Sequence, residues 1–245
     1  MQPLSAAELL KAWEDALGQT PARRALTLLA AASPESTLND LAELPIGQRD
    51  ARLMTLREWT FGARVVGVTA CPACHARLEL DLNLGDIRTS GESQVDSGLS
   101  LKRAGHAVRF RLPNSLDLLA LDSIKDDQQA GRQLLLERCV ISATRRGKPS
   151  QVEQLPAELV SAVATRMAEA DPQADVQLAL VCQACGHQWT STFDILTFFW
   201  NEIHAWALRV LQDVHILASA YGWREADILA LSPWRREVYL EMAGR

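Results

Sequence analysis

Apolar residues recur along this chain with two different periods. Ser5-Ala6-Ala7-Glu8 has capping-box spacing, and Leu9, Leu10, Trp13, Ala16 and Leu17 follow at helical intervals as far as Gly18. Thr20 and Pro21 read as the cap and first turn of a second helix ending near Ser33-Pro34, so the chain opens on an expected αα-hairpin. A short helical stretch around Leu38 to Leu44 stops at Pro45. From Ile46 to Trp59, Leu53, Leu56 and Trp59 share one helical face and the arginines another. With Asp50 and Glu58 among those arginines, the polar side reads as a salt-bridged solvent face.

Leu99 to Leu112 alternates on both sides of a glycine-containing turn, which predicts a β-hairpin with His106 exposed at its tip. Helices are expected from near Leu116, through Gln133 to Val140, and from Leu155-Pro156-Ala157-Glu158 to Ala170, where Asp171-Pro172 closes the last. Arg88 to Ser97 reads as a mobile loop and Arg145-Arg146-Gly147-Lys148-Pro149 as a basic loop. The longest helix is expected from Phe193 to Tyr221, with a wide apolar stripe through Leu196, Phe199, Trp200, Ile203, Val210 and Leu217. Gly222 stops it, and Ser232-Pro233 caps a final helix.

Two stretches follow the shorter period and share one plan. Cys71-Pro72-Ala73-Cys74 and Cys182-Gln183-Ala184-Cys185 each end an apolar, β-prone run, Val65 to Thr69 and Val176 to Val181. Each is followed by an alternating stretch, Arg77 to Leu82 and Gln188 to Phe193. A strand, a thiolate-bearing turn and a strand, written twice, suit the halves of one zinc ribbon, because a tetrahedral zinc ion takes four thiolates from two facing turns. Other chemistries fit less well. Cys71 to His75 matches the haem-attachment pattern C-x-x-C-H, but Met1 to Ser5 lacks the basic flank and apolar core of an export signal. A redox pair belongs where a strand meets a helix N-terminus, and both pairs here run into strand-like sequence. The zinc deaminase signature H-x-E is missing. His75 and His187 lie just beyond the pairs, but four thiolates already close the shell. His204 and His215 lack the i, i+4 spacing of a metal pair.

A closed four-thiolate site leaves no position for water or substrate, so its expected role is structural, with one zinc per chain. The knuckles bracket about a hundred residues, and fixing the ends of such a segment costs roughly 4 kcal/mol of chain entropy. Metal binding, of order 10 kcal/mol in zinc-finger peptides, offsets that.

Composition narrows the function classes. A net charge of −5 argues against sequence-independent nucleic-acid binding, and no apolar run reaches bilayer-crossing length. Five cysteines, four of them in metal-like pairs, suit a reducing cytoplasm better than a disulfide framework. The fifth, Cys139, reads as a small buried apolar side chain. Four of the seven tryptophans lie between Trp200 and Trp234, which makes Trp200, Trp206, Trp223, Trp234 and Tyr239 the candidate partner-binding residues. No nucleophile, acid-base pair or phosphate-binding glycine loop stands out, so no catalytic residue and no small-molecule substrate is expected.

Six strings, taken in order, resemble a known family: Ile46 to Leu53, the C-P-x-C knuckle with Leu78-Glu79, Arg109 to Pro113, Ala168 to Ala174, the second knuckle with Phe193-Asp194-Ile195, and Tyr221 to Leu229 on to Met242. The family is named for a baseplate protein of contractile-tailed bacteriophages, and similar proteins accompany phage-tail-like contractile injection systems. The resemblance spans Leu44 to the C-terminus. His75 departs from it, standing where Gly is expected in many relatives. It implies a baseplate or hub component, or an assembly factor, whose partners are other baseplate, hub or spike proteins, located in the bacterial cytoplasm during assembly or retained in the particle. It supplies no catalytic residues.

The expected fold is α+β, mainly helical, with a four-cysteine zinc ribbon bracketing a long α+β insertion. The expected divisions are 1–44 (helical hairpin), 45–90 (helix and first knuckle), 91–175 (insertion), 176–192 (second knuckle) and 193–245 (Trp-rich helices). The expected function is a non-enzymatic structural or assembly component. Two alternatives stand beside it: a zinc-ribbon adaptor touching nucleic acid through Arg145, Arg146 and Lys148, and a thiol oxidoreductase using one C-x-x-C.

Overall fold

The computed structural model describes residues 1–89, 98–122, 124 and 127–244. Its first half runs α1 (Ala6–Ala16), α2 (Pro21–Ala32), α3 (Leu38–Ala42), α4 (Ile46–Phe61), β1 (Arg64–Ala70), β2 (Arg77–Asn83), α5 (Leu84–Ile87), β3 (Leu99–Arg103) and β4 (His106–Phe110). There follow α6 (Ser115–Leu121), α7 (Gln128–Cys139), β5 (Val140–Arg145), β6 (Lys148–Pro149), α8 (Ala157–Ala170), β7 (Gln177–Val181) and β8 (Gln188–Thr192). The chain ends with α9 (Ile195–Tyr221), α10 (Glu225–Leu229) and α11 (Pro233–Met242). The fold is mixed α+β, and these elements form two compact units, Met1–Ser36 with Ile195–Arg245, and Thr37–Asp194.

The first unit is all helical. Ser5 and Glu8 form the expected capping box, with the Glu8 carboxylate accepting from the Ser5 amide at 2.8 Å. The apolar faces of α1 and α2 pack on each other and on α9, burying Leu9, Leu28, Leu29, Phe199, Ile203 and Ala207. Polar atoms on these faces find partners inside the unit: Trp13 Nε1 donates to His204 Nδ1 at 3.1 Å, and the Arg24 guanidinium lies 4.5 Å over the Trp200 ring. Trp200 is therefore buried, 7% exposed, and belongs to the core rather than to the partner surface expected of it. Leu217, Ile228 and Leu240 form a second cluster, flanked by Trp223 and Tyr239. Tyr221 stacks on Trp223 at 4.7 Å, and Trp223 meets Tyr239 edge-on at 4.8 Å. Trp206, Trp223 and Tyr239 are half-buried, whereas Trp234 is 75% exposed.

Among the described residues the second unit holds three antiparallel sheets: the ribbon β1-β2, the ribbon β7-β8, and a four-stranded sheet in the order β3-β4-β5-β6. Leu99, Val108, Phe110 and Ala143 of the four-stranded sheet pack with Leu155, Leu159 and Val163 around α8. The hairpin expected over Leu99 to Leu112 is present, but His106 is buried, 7% exposed. Register explains the difference: His106 lies two residues from Val108, on the core face, between Arg103 of β3 and Arg145 of β5. The basic stretch after Thr144 is likewise not a loop but the turn of the β5-β6 hairpin. Residues 90–97, most of the loop expected from Arg88 to Ser97, lie outside the described set. Arg88 itself bonds Thr55 and Glu58, and the Thr89 amide donates to Gln173.

The arginine face of α4 corrects the sequence reading. Arg49 and Arg57 are 5% and 2% exposed, while Trp59, expected on the apolar face, is 44% exposed. The turn that follows α8 packs against this helix. Buried guanidiniums need partners. Arg49 Nε donates to Asp50 Oδ1 at 2.8 Å, with Nη2 in ion-pair contact with the same oxygen at 2.7 Å. Arg49 Nη1 has no hydrogen-bond partner among the described residues, and Arg57 Nη1 donates to the Gly62 carbonyl at 2.6 Å. Burial nevertheless pushes the Asp50 carboxyl up to about 6, against the pull of Arg49 and helped by Asp194 and Asp171.

Candidate metal centre

Each cysteine turn is the tip of a two-stranded ribbon. In the first, β1 and β2 pair from Arg64↔Asn83 to Ala70↔Arg77, the Cys71 amide donates to the Ala76 carbonyl, and the His75 amide donates to the Cys71 carbonyl, both at 2.9 Å. In the second, β7 and β8 pair from Gln177↔Thr192 to Val181↔Gln188, with the Cys182 amide on the His187 carbonyl and the Gly186 amide on the Cys182 carbonyl, again at 2.9 Å. The plan requires a left-handed residue after the second cysteine of each turn. Gly186 takes φ 72° without a Cβ penalty, whereas His75 is held at φ 60°.

These turns face each other. Cys71 Sγ lies 3.7 Å from Cys185 Sγ, and Cys74 Sγ lies 3.6 Å from Cys182 Sγ. All four sulfurs fall within 4.8 Å of one another. An ion bound tetrahedrally at about 2.3 Å from each sulfur sets the sulfurs about 3.8 Å apart, which the cross-turn distances match. Disulfide sulfurs sit about 2.0 Å apart, and every cysteine in the chain is a free thiol. Cys71 and Cys182 are buried under the ribbons while Cys74 and Cys185 are exposed, so one side of the cluster is open to solvent. His75 and His187 are not in it; His187 stacks on Trp189 at 6.0 Å.

Electrostatics set the thiols apart. Backbone amides of Cys185 and Ala184 point at the Cys182 sulfur and lower its pKa to about 7. At Cys185 the His187 backbone amide favours the thiolate, but crowding by Cys74, Cys182 and Cys71 with partial desolvation of the sulfur outweighs it and pushes the thiol up to about 12. Four thiols this close cannot all ionise without a cation among them, so the donor set fits a divalent metal. Neither pair sits at a helix N-terminus, which removes the usual activation of a redox C-x-x-C.

Cys139 lies elsewhere, buried beside the Asp117 carboxylate, and burial first, then Asp117, pushes it up to about 12. Asp117 is a structural hub that the sequence reading missed: Arg111 grips it through both terminal nitrogens at 2.6 and 2.8 Å, and Arg138 Nε donates to it at 2.8 Å. Asp171 is another. Its carboxylate accepts from the Gly47 amide at 2.9 Å, capping α4 from 124 residues away. A Cβ on Gly47 would fall 1.9 Å from Asp171 Oδ1, so only glycine admits the contact. The Ile46 amide donates to the Pro113 carbonyl at 3.1 Å. Three strings dispersed in sequence, 46–53, 109–113 and 168–174, thus meet at the start of α4. Acidic residues before proline at the end of a helical run, and a glycine inside the first turn of another, were the available signals.

Residues 26–200 match the family described as T4 bacteriophage base plate protein, and the chain belongs to that family. The match begins within α2 and ends in α9, leaving the resemblance read from Tyr221 to Met242 outside the matched residues. No curated protein and no solved structure matches the chain. Among the described residues no helix is long and apolar enough to cross a membrane.

Proposed function

We propose that this chain is a non-enzymatic structural or assembly component of a contractile tail or tail-like injection-system baseplate, in which Cys71, Cys74, Cys182 and Cys185 hold one structural zinc ion. Membership of the base plate family supports the setting, and the cluster of four sulfurs is the observation that carries the role. The two turns that supply these sulfurs are separated by most of the second unit, so an ion shared between them ties its two ribbons together. With four protein ligands the ion keeps no open position, which suits a clasp and not a catalyst. Partners are other baseplate, hub or spike proteins, met in the bacterial cytoplasm during assembly. The aromatic end of the first unit, with Trp234 exposed and Trp206, Trp223 and Tyr239 half-exposed, is the surface offered to them.

Two measurements test this. Elemental analysis of purified protein should return about one zinc per chain, with thiols that resist alkylation until a chelator is added; redox-active, metal-free thiols would overturn the clasp. Affinity purification of the tagged chain from its native host should recover baseplate or spike subunits, and Trp234→Ala should weaken that recovery. An eluate without tail proteins would overturn the setting while leaving the metal result standing.

A further inference from the structure

The four-stranded sheet ends in two turns that lie side by side. Two-residue loops close β3-β4 and β5-β6, with Ala104 and Gly105 at φ 51° and 76° and Arg146 and Gly147 at φ 50° and 80°. Paired positive φ values are those of the type I′ turn, whose twist matches that of the flanking strands. The Arg146 amide donates to the Gly105 carbonyl at 2.7 Å, which locks one turn to the other.

The register sets Arg103, His106, Arg145 and Lys148 directly opposite one another, one from each strand in order. Like charges facing each other across a sheet weaken it, so folding alone disfavours such a row. The strands and turns of this sheet add Lys102, Arg109 and Arg146 and contain no aspartate or glutamate, in a chain whose net charge is −5. Arg64, Arg88, Arg111, Arg138 and Arg166 each have a carboxylate partner. Arg103, Arg145, Arg146 and Lys148 are exposed and have none among the described residues. Within the row, His106 is buried with Nδ1 lacking a hydrogen-bond partner.

We propose that this end of the sheet docks an acidic, extended segment of a partner protein. Three inter-strand spacings of about 4.8 Å make the row about 14 Å long, the span of roughly four extended residues. Alternate carboxylates of such a segment point to one side and meet guanidinium forks able to take them bidentately. The locked turns fix the backbone from which those side chains reach, so no main-chain ordering is required on binding. Nucleic acid fits less well. Single strands bind on exposed aromatic faces, and Phe110, the aromatic of this sheet, is fully buried. A long polyanion is also opposed by the chain's net negative charge. The inference is independent of what the cysteines hold.

The test uses the full chain and a fluorescein-labelled peptide of alternating Glu and Ser, read by anisotropy. Saturable binding at about 50 mM NaCl that fades by about 300 mM is expected, because exposed charge contacts are screened over that range. Replacing Arg103, Arg145 and Lys148 together by Gln should weaken binding at least about tenfold, while Arg132→Gln with Arg209→Gln leaves it unchanged. The triple variant should melt no lower than the parent, since it removes a like-charge row, an outcome that a purely structural role for these residues does not give. Lys148→Gln alone, at the two-residue edge strand, should give a smaller loss in the same direction and guards against a folding failure. No peptide binding at low salt, or binding indifferent to the triple substitution, overturns the proposal. A single-stranded oligonucleotide of equal charge binding more tightly than the peptide also overturns it, in favour of a nucleic-acid surface.

Discussion

The first and second cysteine turns follow one hydrogen-bond plan, with a buried and an exposed thiol in each, yet their sequences treat the same strained position differently. At Gly186 the left-handed backbone is free of side-chain penalty; at His75 it costs about 1 kcal/mol. The ribbons beneath them differ in the opposite sense. β1 and β2 pair over seven positions and carry the exposed Arg64–Asp81 pair, whereas β7 and β8 pair over five. The longer ribbon tolerates the less suitable turn, and the shorter one has the glycine. A sulfur cluster of this kind therefore needs the turn's shape, and the sequence can reach that shape by residue choice or by support from below.

If the two turns serve one ion, the largest effect should be equal on both sides. Cys71→Ser and Cys182→Ser should each abolish stoichiometric zinc and lower the melting temperature by about 10 °C or more, read by calorimetry beside elemental analysis. Loss of metal from only one of the two variants would break the comparison at its root. Acidification comes next. Metal ligation needs thiolates, so protons compete with zinc, and release to a chromogenic chelator should accelerate as pH falls from about 8 toward about 5. Release that is flat from pH 8 to about 5 would argue that the thiols are not the ligands.

The smaller effects sharpen the difference between the turns. Gly186→Ala should destabilise the second turn by about 1 kcal/mol, seen as a shift in denaturant midpoint at unchanged slope. His75→Gly should move the first turn the other way by about 0.5 kcal/mol, less than the strain relieved because glycine also gains freedom in the unfolded chain. Opposite signs at equivalent positions are the signature expected; a destabilised His75→Gly would mean that the imidazole makes a contribution the backbone plan leaves out.

The cysteine turns were legible because they combine a rare residue type with strand-like flanks on both sides, and the sulfurs do come together. The helical periods of α1 and α9 were legible for a similar reason, each running for several turns, α1 from a capping box and α9 up to Gly222. What escaped depended on partners far along the chain. Arginines on α4 look solvated in sequence, but Arg49 and Arg57 are buried in a unit where the turn after Asp171, over a hundred residues later, packs on that helix. β5 was hidden because α7 ends at Cys139 and the strand begins at Val140, with no breaker between them. His106 sits at a turn, where exposure is the local expectation, but a third strand on its far side buries it.

The first unit is assembled from the two ends of the chain, with about 160 residues of the other unit threaded between them. At a synthesis rate of roughly 5–20 residues per second, α1 and α2 leave the ribosome about 8–30 seconds before α9 exists to cover Leu9, Leu28 and Leu29. For that interval a nascent chain displays a greasy helical pair with nothing to sit on. Moving those first 36 residues to follow Arg245 through a short linker would shorten the interval for which those apolar faces stand uncovered.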